Sequence, residues 1–346
     1  MIRALVLGLC AAAVLSALFC AVLIPLLRRA QIVDVPVDRS LHSVPVPRGG
    51  GIAVTLASVL AVVVAPAAAW TQGGFANFWE RFAVVAIGLA TILAFAVLGA
   101  LEDLYSLPSL VRFQAQLGIG LLMGIAVCLK AGAPLWLALG IAACTAALVN
   151  VTNFMDGANG LTAGHGVVTA IWFAVVSLTV PLPGLGLLMV PVAGACLGFL
   201  PFNALKARVF LGDTGSYALG GAWSFCASLC LLEGVPANAA VAPLLVLVVD
   251  TGYTLWMRVR AGQRWYEPHK LHVYQRLVTS GWPHWGVALL VSLVAGLCSA
   301  VAFWDLRDGE LSLLPVALMA VVLLVYGRVP AMIGAPSPFH KARGLR

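Results

Sequence analysis

The stretch NVTNFMDGANGLTAG, from Asn150 to Gly164, separates two long apolar runs. It concentrates amide and carboxylate side chains together with glycines. A second polar island, VFLGDTGS from Val209 to Ser216, lies at another junction between apolar segments. Polar clusters are costly in apolar surroundings and therefore usually mark a functional site. Two islands of the same composition predict a site built from loops at the ends of apolar helices.

The composition is that of a membrane protein. Of the 346 residues, 62% are hydrophobic and only 10% are charged, and the mean hydropathy is +1.02. In soluble proteins about a quarter of the residues are charged. We predict an all-α, polytopic integral membrane protein with one domain over residues 1–346. About eleven apolar runs have roughly the 20 residues that cross a bilayer as a helix, at 2–27, 50–69, 82–101, 112–130, 134–151, 164–180, 185–203, 214–232, 240–257, 284–303 and 312–328.

The basic residues predict the orientation, because Lys and Arg are retained on the cytoplasmic side of short loops. Sixteen of the twenty fall on one side of the predicted spans; the other four are Arg3, Arg81, Lys130 and Arg307. This bias places the N-terminus outside and the C-terminus and both polar islands in the cytoplasm. The net charge of +7 then describes a basic inner face suited to anionic lipids and substrates, and does not indicate nucleic-acid binding.

Five segments on this predicted inner side hold most of the unusual polarity. They are DVPVDRSLHSVPVPRGGGI from Asp34, GALEDLYSLPSLVRFQAQ from Gly99, the two polar islands, and EPHKLHVYQRL from Glu267. Four carboxylates lie at or beside predicted helix ends: Glu102, Asp103, Asp156 and Asp213. Hard oxygen ligands of this kind can hold Mg²⁺ against phosphate oxygens, so we expect a diphosphate substrate.

Within the first island, the spacing of Asn150, Asn153 and Asp156 lets three polar side chains converge on one helical face. An Asx-rich turn between helices is the structural alternative. In the second island, glycines flank Asp213, and a helix starting at Ser216 would offer free N–H groups to an anion. Asp213 could instead be only an N-cap of that helix.

His269 and His272 are three residues apart and share a face if Pro268 begins a short helix. Nearby cations, Arg264, Lys270 and Arg276, favour binding of a diphosphate over a transition metal. A basic patch for lipid headgroups is the alternative.

Arg112 and Gln116 are four apart and are predicted to face one groove, although Arg112 could simply snorkel to the interface. The glycines Gly49–Gly51 follow Arg39, His42 and Arg48, and this segment is predicted to be a flexible loop that contacts phosphate. Triple glycine alone is a weak signal.

The remaining acids, Asp250 and those of the predicted external loops, are predicted to have structural roles or to be solvated. Asp250 lies inside the ninth predicted span, so it should have a partner such as Tyr253, Arg258 or a neighbouring helix, and we favour a structural role. The acids of the predicted external loops are interpreted as solvated: Glu80, Glu233, Asp305, Asp308 and Glu310.

These five segments, in this order from Asp34 to Leu277, resemble the polyprenyl-phosphate N-acetylhexosamine-1-phosphate transferases. This is the family of the phospho-N-acetylmuramoyl-pentapeptide translocase and of the enzymes that initiate O-antigen and enterobacterial common antigen. The two islands together carry the most specific part of the likeness. The motif PHKLHVYQRL looks most similar to the O-antigen branch, whose sugars include N-acetylfucosamine and N-acetylquinovosamine.

The resemblance implies transfer of a sugar-1-phosphate from a UDP-N-acetyl sugar to undecaprenyl phosphate, with release of UMP and a requirement for Mg²⁺. It implies catalytic roles for Glu102, Asp103 and Asp213, and metal binding by Asp213 and Asp156. The substrate-binding residues implied are Asn150, Asn153, Asp156, Asn159, His269, His272, Arg264, Arg112 and Arg48. It also implies a bacterial inner membrane location with a cytoplasmic active site; a homodimer is left open.

Two positions depart from the family pattern. Glu102 stands where the family usually has Asp, which adds a methylene to the first acid of the pair. Asn159 stands where the family usually has a second Asp, so it is assigned a binding role and not an anionic one. Deprotonation of the lipid phosphate by Glu102 or Asp103 is a hypothesis, and a covalent route through a carboxylate stays open.

Three other classes of protein compete with this interpretation. A transporter of an anionic lipid or sugar would also use basic loops and the intramembrane Asp250. A glycosyltransferase with lipid-linked donors would need its acidic pair on the outer side, and a purely structural membrane protein would not need five polar segments on one side.

Overall fold

The computed structural model describes residues 2–36, 41, 44–64, 75–264 and 269–335. Over these residues the chain is almost entirely helical. The helices are α1 (Ile2–Arg29), α2 (Gly50–Val63), α3 (Phe75–Tyr105), α4 (Ser109–Ala131), α5 (Leu137–Phe154), α6 (Leu161–Thr179), α7 (Leu185–Asn203), α8 (Gly212–Leu232), α9 (Ala237–Val241), α10 (Leu245–Arg260), α11 (Val273–Thr279), α12 (His284–Asp308) and α13 (Leu313–Met332).

Ten helical segments among the described residues are long and apolar enough to cross a membrane. One of them, Ala237–Arg260, comprises α9, a short 3₁₀ turn at Ala242–Leu244 and α10. This confirms the prediction of an all-α, polytopic membrane protein. The predicted span 50–69 corresponds to the fourteen residues of α2, and its last five residues lie outside the described part of the chain.

Helix α8 forms the centre of the bundle. Every residue from Gly212 to Cys230 is buried, and α2, α3, α4 and α5 all pack against this helix. Glycines allow the close approach: Gly220 faces the backbone of Val149, and Gly221 faces the ring of Phe95, with no room for a Cβ at either position. Small residues stabilise membrane helix pairs in this way because lipid offers no hydrophobic driving force for association.

A short antiparallel ribbon, β1 (Val33–Asp34) and β2 (Val46–Pro47), precedes α2. The N–H groups of Gly49 and Gly50 donate to Phe210 O, and that of Gly51 donates to Leu211 O at 2.7 Å. The glycines therefore dock onto the second polar island, and the prediction that they form a flexible loop is wrong; contact of this segment with phosphate stays a prediction. Arg39 and His42 lie outside the described residues.

At the opposite end of the bundle, two of the acids interpreted as solvated are paired. Lys130 contacts Glu233 at 2.5 Å. The Asp305 side chain is fully buried and accepts hydrogen bonds from Asn238 Nδ2 at 2.7 Å and Ser312 N at 3.0 Å. The interpretation is wrong for these two acids because both lie where helices pack together; Glu80, Asp308 and Glu310 are exposed.

The contact between α2 and α8 generates a prediction about stability. A Cβ at Gly51 would collide with the backbone of Gly215, which has no side chain to move aside. We expect Gly51→Ala to lower the unfolding free energy by about 1–3 kcal/mol, as overpacking usually does. Thermal unfolding in detergent, followed by near-UV circular dichroism, measures this.

Gly118→Ala is the matched control, since Gly118 is also helical and has open space around its Cβ position. It should unfold at or slightly above the wild-type temperature, because alanine favours helix over glycine. Equal melting temperatures for the two variants would contradict the packing argument.

Candidate active site

The carboxylate of Asp103, at the end of α3, closes the N-terminus of α8. Its Oδ1 accepts a hydrogen bond from Asp213 N at 3.0 Å, and its Oδ2 accepts from Thr214 N at 2.9 Å and Thr214 Oγ1 at 2.7 Å. The first N–H groups of a helix have no partner within the helix and carry partial positive charge. Asp103 satisfies them, so the prediction that a helix starting at Ser216 offers free N–H groups is wrong: the helix starts at Gly212, and Asp103 is the anion on it.

Arg48 joins the two aspartates from a third segment. Its Nε lies 2.8 Å from Asp103 Oδ1, and its Nη2 lies 3.1 Å from Asp213 Oδ2. Burial lowers the pKa of Arg48, but the surrounding carboxylates outweigh burial and leave the pKa above its ordinary value. The side chain keeps 35% of its surface exposed. Arg48 is thus a permanent cation between two acids, at a position that a ligand can reach.

Asn153 and Asp213 connect the two polar islands directly. Asn153 Nδ2 donates to Asp213 Oδ1 at 2.6 Å and to Ser216 Oγ at 3.0 Å. Asn153 lies in the last turn of α5, and Asp213 in the first turn of α8. The predicted meeting of both islands on one side of the bundle is therefore present in the structure.

Asp156 lies in the turn after α5 and senses the same charges. Its pKa is raised to about 8, chiefly because burial disfavours the charged carboxylate. The carboxylates of Asp213 and Asp103 also favour the protonated form. The Thr162 hydroxyl and Arg48 act in the opposite direction. Three predicted acids therefore lie close enough to influence one another.

Glu102 and Arg112 form a neighbouring ion pair. Glu102 Oε1 lies 3.0 Å from Arg112 Nη1, and Oε2 accepts a hydrogen bond from Leu107 N at 2.8 Å. Adjacent acids at 102 and 103 thus have different cations, Arg112 for the first and Arg48 for the second. This separation relieves the repulsion expected for the pair.

Asn150 contacts α4 and not the carboxylates. Its Nδ2 donates to Gln116 Oε1 at 2.6 Å and to Ala146 O at 2.7 Å. Gln116 is only 1% exposed. Arg112 pairs with Glu102 instead. The predicted shared groove is therefore absent, because Arg112 and Gln116 have different partners.

The two histidines form a second cluster. Their ring centroids are 4.9 Å apart. Helix α11 begins at Val273, with His272 as its N-cap, whereas the spacing predicted a helix from Pro268, a residue outside the described part of the chain. Burial, the His272 ring and Arg258 lower the pKa of His269 to about 4, so His269 is neutral at physiological pH.

Asp250 has partners from neighbouring elements, as its depth in the membrane predicted. It accepts hydrogen bonds from the α11 backbone and from Tyr326 on α13, and its Oδ1 lies 3.2 Å from His272 Nδ1. A carboxylate with this many donors resembles a structural group more than the coupling site of a transporter.

Two other predicted binding residues, Arg264 and Asn159, make contacts with residues other than the carboxylates. Arg264 is exposed, and its carbonyl oxygen accepts a hydrogen bond from Arg258 Nη2 at 2.6 Å. The backbone N–H of Asn159 donates to His284 Nδ1 at 3.1 Å.

Three residues that shape the site were missed by sequence reasoning. Asn203 accepts from Gly160 N at 2.5 Å and donates to Val209 O at 2.9 Å, which ties the first island to the second. Tyr274 donates to Phe154 O at 2.8 Å. A buried Asn at a helix end was a usable signal for Asn203; the contacts of Tyr274 and His284 depend on tertiary packing alone.

Asp213 and Asp156 fit a magnesium ion as oxygen donors. The raised pKa of Asp156 indicates a carboxylate in need of a compensating cation. Among the described residues, no three His, Cys, Asp or Glu side chains form a ready metal cage. Mg²⁺ commonly takes one or two carboxylates, several waters and substrate phosphates, so two acids are a sufficient protein contribution.

Fold and site together define a polytopic membrane protein with a cluster of acids and one arginine at one end of its bundle. Residues 85–231 match the glycosyl transferase family 4. The chain belongs to the polyprenyl-phosphate N-acetylhexosamine-1-phosphate transferase family, and the resemblance noted in the sequence is confirmed. It is accordingly a phosphotransferase that acts in the membrane.

Relatives include bacterial transferases from two branches of the family. The decaprenyl-phosphate N-acetylglucosaminephosphotransferase of Mycolicibacterium smegmatis is 29% identical over 87% of this chain and 82% of the relative. A probable undecaprenyl-phosphate N-acetylglucosaminyl 1-phosphate transferase of Bacillus subtilis is 27% identical over 95% and 94%. The phospho-N-acetylmuramoyl-pentapeptide-transferase of Desulforudis audaxviator is 30% identical over 81% and 91%.

The capping role of Asp103 generates a prediction. In Asp103→Asn the side-chain amide would direct an N–H either at Arg48 or at Thr214 N, so one donor would face another. We expect a loss of about 1–3 kcal/mol in unfolding free energy, from the weakened cap and an unsatisfied buried donor, together with a large loss of transferase activity. Chemical denaturation in detergent measures the first effect.

Glu102→Gln is the control, because the same chemical change falls on a partly exposed ion pair. Such pairs contribute about 0–1 kcal/mol. An Asp103→Asn protein as stable as the Glu102→Gln protein would show that Asp103 does not cap α8.

Proposed function

We propose that this protein transfers N-acetylhexosamine 1-phosphate from a UDP-sugar to undecaprenyl phosphate, giving undecaprenyl-diphosphate-sugar and UMP. The product would initiate lipopolysaccharide O-antigen or another cell-envelope glycan. The names of the relatives support the class of reaction, since they describe transferases that act on decaprenyl or undecaprenyl phosphate and N-acetylglucosamine. The O-antigen assignment rests on the histidine motif.

The observation that carries the proposal is the convergence of Arg48, Asp103, Asn153 and Asp213 at one end of the bundle. Four separate chain segments supply these residues, and Arg48 keeps 35% of its side-chain surface exposed. A cluster with a permanent cation and two acids suits a reaction in which charge on phosphate shifts from one oxygen to another.

In the proposed reaction an oxygen of the lipid phosphate forms a bond to the β-phosphorus of the UDP-sugar. The bond from that phosphorus to the bridging oxygen breaks, and UMP leaves with the electron pair. The bond between the sugar and its phosphate stays intact. Arg48 would stabilise negative charge on the phosphate oxygens, and Asn153 would hold Asp213 in its orientation.

The hydrogen bonds of Asp103 favour a positioning role for this acid. Both of its oxygens already accept from the backbone of α8, the Thr214 hydroxyl or Arg48. Glu102 has a simpler environment and is the better candidate for the proposed proton acceptor of the pair. The catalytic role of both acids remains part of the proposal.

Magnesium would be held by Asp213 and Asp156 and would neutralise charge on the diphosphate and on the leaving UMP. Asn150, Asn159, Arg112, Arg264, His269 and His272 complete the proposed substrate-binding set. His269, neutral and half-buried, would donate a hydrogen bond to a phosphate oxygen and would not act as a cation. The excess of basic residues near the site supports a cytoplasmic active site in the bacterial inner membrane, with the N-terminus outside.

Release of UMP tests the function. Purified protein is incubated with undecaprenyl phosphate, Mg²⁺ and a panel of UDP-N-acetyl sugars, and we expect UMP and a lipid-linked sugar from at least one of them. Asp213→Asn should lower turnover by at least about 100-fold, since it removes a charged group from the reacting centre. Asp308→Asn, an exposed acid at the opposite end of the bundle, should stay within about twofold of wild type.

UMP release from none of the sugars by a folded preparation would refute the proposed reaction and favour the transporter. Equal activity of the Asp213→Asn and Asp308→Asn proteins would refute the proposed site.

The raised pKa of Asp156 predicts a pH dependence of magnesium binding. A carboxylate binds Mg²⁺ only after its proton leaves, and with a pKa of about 8 most of the metal-free protein is protonated at pH 7. Affinity for Mg²⁺ should therefore rise from pH 6 to 8 and level off above about 8. Calorimetry at pH 7 in buffers of different ionisation enthalpy should show release of close to one proton per Mg²⁺ bound.

Asp156→Asn cannot lose this proton, so its Mg²⁺ binding should be weaker and almost independent of pH in this range. The same pH dependence in wild type and variant would exclude Asp156 as the group that titrates.

A further inference from the structure

Asp250 is a second carboxylate that holds a helix from a distance. It lies inside α10 and is 1% exposed. Its Oδ1 accepts a hydrogen bond from Val273 N at 2.9 Å, and its Oδ2 accepts from Tyr274 N at 3.3 Å. These are the first two N–H groups of α11. A carboxylate buried in a membrane segment requires such donors, and the start of a helix requires an acceptor.

The same carboxylate fixes the orientation of His272. Asp250 Oδ1 lies 3.2 Å from His272 Nδ1. The same oxygen accepts from Val273 N, so one carboxylate atom links the His272 ring to the start of α11. His272 is 4% exposed and lies between the rings of His269 and Tyr274. His272 is therefore a support for the half-buried His269.

Helix α13 closes the network through Tyr326. The hydroxyl of Tyr326 donates to Asp250 Oδ2 at 2.7 Å, and the side chain is 1% exposed. Three separate elements thus meet at one carboxylate: α10, the start of α11, and α13.

Tyr274 connects this network of hydrogen bonds to the first polar island. Burial, with the negative charges of Asp250 and Asp156, raises the pKa of Tyr274, so its hydroxyl is a donor at physiological pH. It donates to Phe154 O, in the last turn of α5 and two residues before Asp156. Gly157 faces the Tyr274 hydroxyl, with no room for a Cβ. The backbone of the Asp156 turn therefore rests on α11.

We propose that Asp250, held by Tyr326, is a positioning residue that sets the histidine segment 269–279 and the Asp156 turn for binding of the nucleotide-sugar. The kinetic part of this inference rests on the proposed function. Among the described residues, no contact joins the Asp250 network to the Glu102–Arg112 pair, where the lipid phosphate is proposed to lose its proton. We therefore expect binding of the lipid phosphate to be unaffected.

Tyr326→Phe is the sharpest test, since it removes one hydroxyl and keeps the ring. We expect the KM for the UDP-sugar to rise about 3- to 10-fold, with the KM for undecaprenyl phosphate within twofold of wild type. A 3- to 10-fold rise corresponds to about 0.7–1.4 kcal/mol, which lies within the net contribution of one hydrogen bond. Asp250→Asn should have a larger effect in the same direction, because its amide N–H would face a donor.

Tyr253→Phe is the matched control. Tyr253 lies on the same helix as Asp250, is 39% exposed and contacts the Trp256 ring. Both kinetic constants should stay within twofold of wild type. Equal rises in both KM values for Tyr326→Phe, or values equal to those of Tyr253→Phe, would overturn the positioning role.

Hydrogen exchange of the full-length protein in detergent separates this inference from the proposed reaction. Tyr326→Phe should exchange faster at residues 269–279 and 154–157, with α8 unchanged. This result is expected even if no UDP-sugar supports UMP release, in which case only the proposed function fails. Unchanged exchange in both segments would overturn the inference whatever the activity.

Discussion

The Asp103 carboxylate lies between a cation and the positive end of a helix, and the geometry of the site depends on this position. Without it, the Arg48 guanidinium would face the N-terminus of α8, and two N–H groups would lack an acceptor. Because α8 is the central helix and carries Asp213 in its first turn, one hydrogen-bonded carboxylate fixes both the start of this helix and the position of Asp213.

The same arrangement occurs a second time. Asp250 accepts the first N–H groups of α11 as Asp103 accepts those of α8. In both cases the acid comes from another helix. The acids therefore divide into two groups. Asp103 and Asp250 accept hydrogen bonds from backbone N–H groups, whereas the Asp213 carboxylate is bonded to the side chains of Asn153 and Arg48.

Contacts between residues far apart in sequence explain why several local predictions were wrong. The glycines at 49–51, the expected helix start at Ser216 and the expected helix start at Pro268 were each interpreted from the chain nearby. Their N–H groups or neighbours are bound by residues far along the sequence, such as Phe210 for Gly50. Glu233 and Asp305 likewise have partners that no local pattern indicates.

Apolar run length and charge by themselves determined the helical membrane fold, the positions of the two islands and, through their motifs, the family. These properties are local, since hydropathy and helical period are read over twenty neighbouring residues. The family departure at Asn159 was also visible in the chain. Only the tertiary structure decided which donor each carboxylate accepts. Asp103 and Asp213 are 110 residues apart, and Arg48 and Asp213 are 165 apart, so these contacts exist only because helix packing brings the segment ends together.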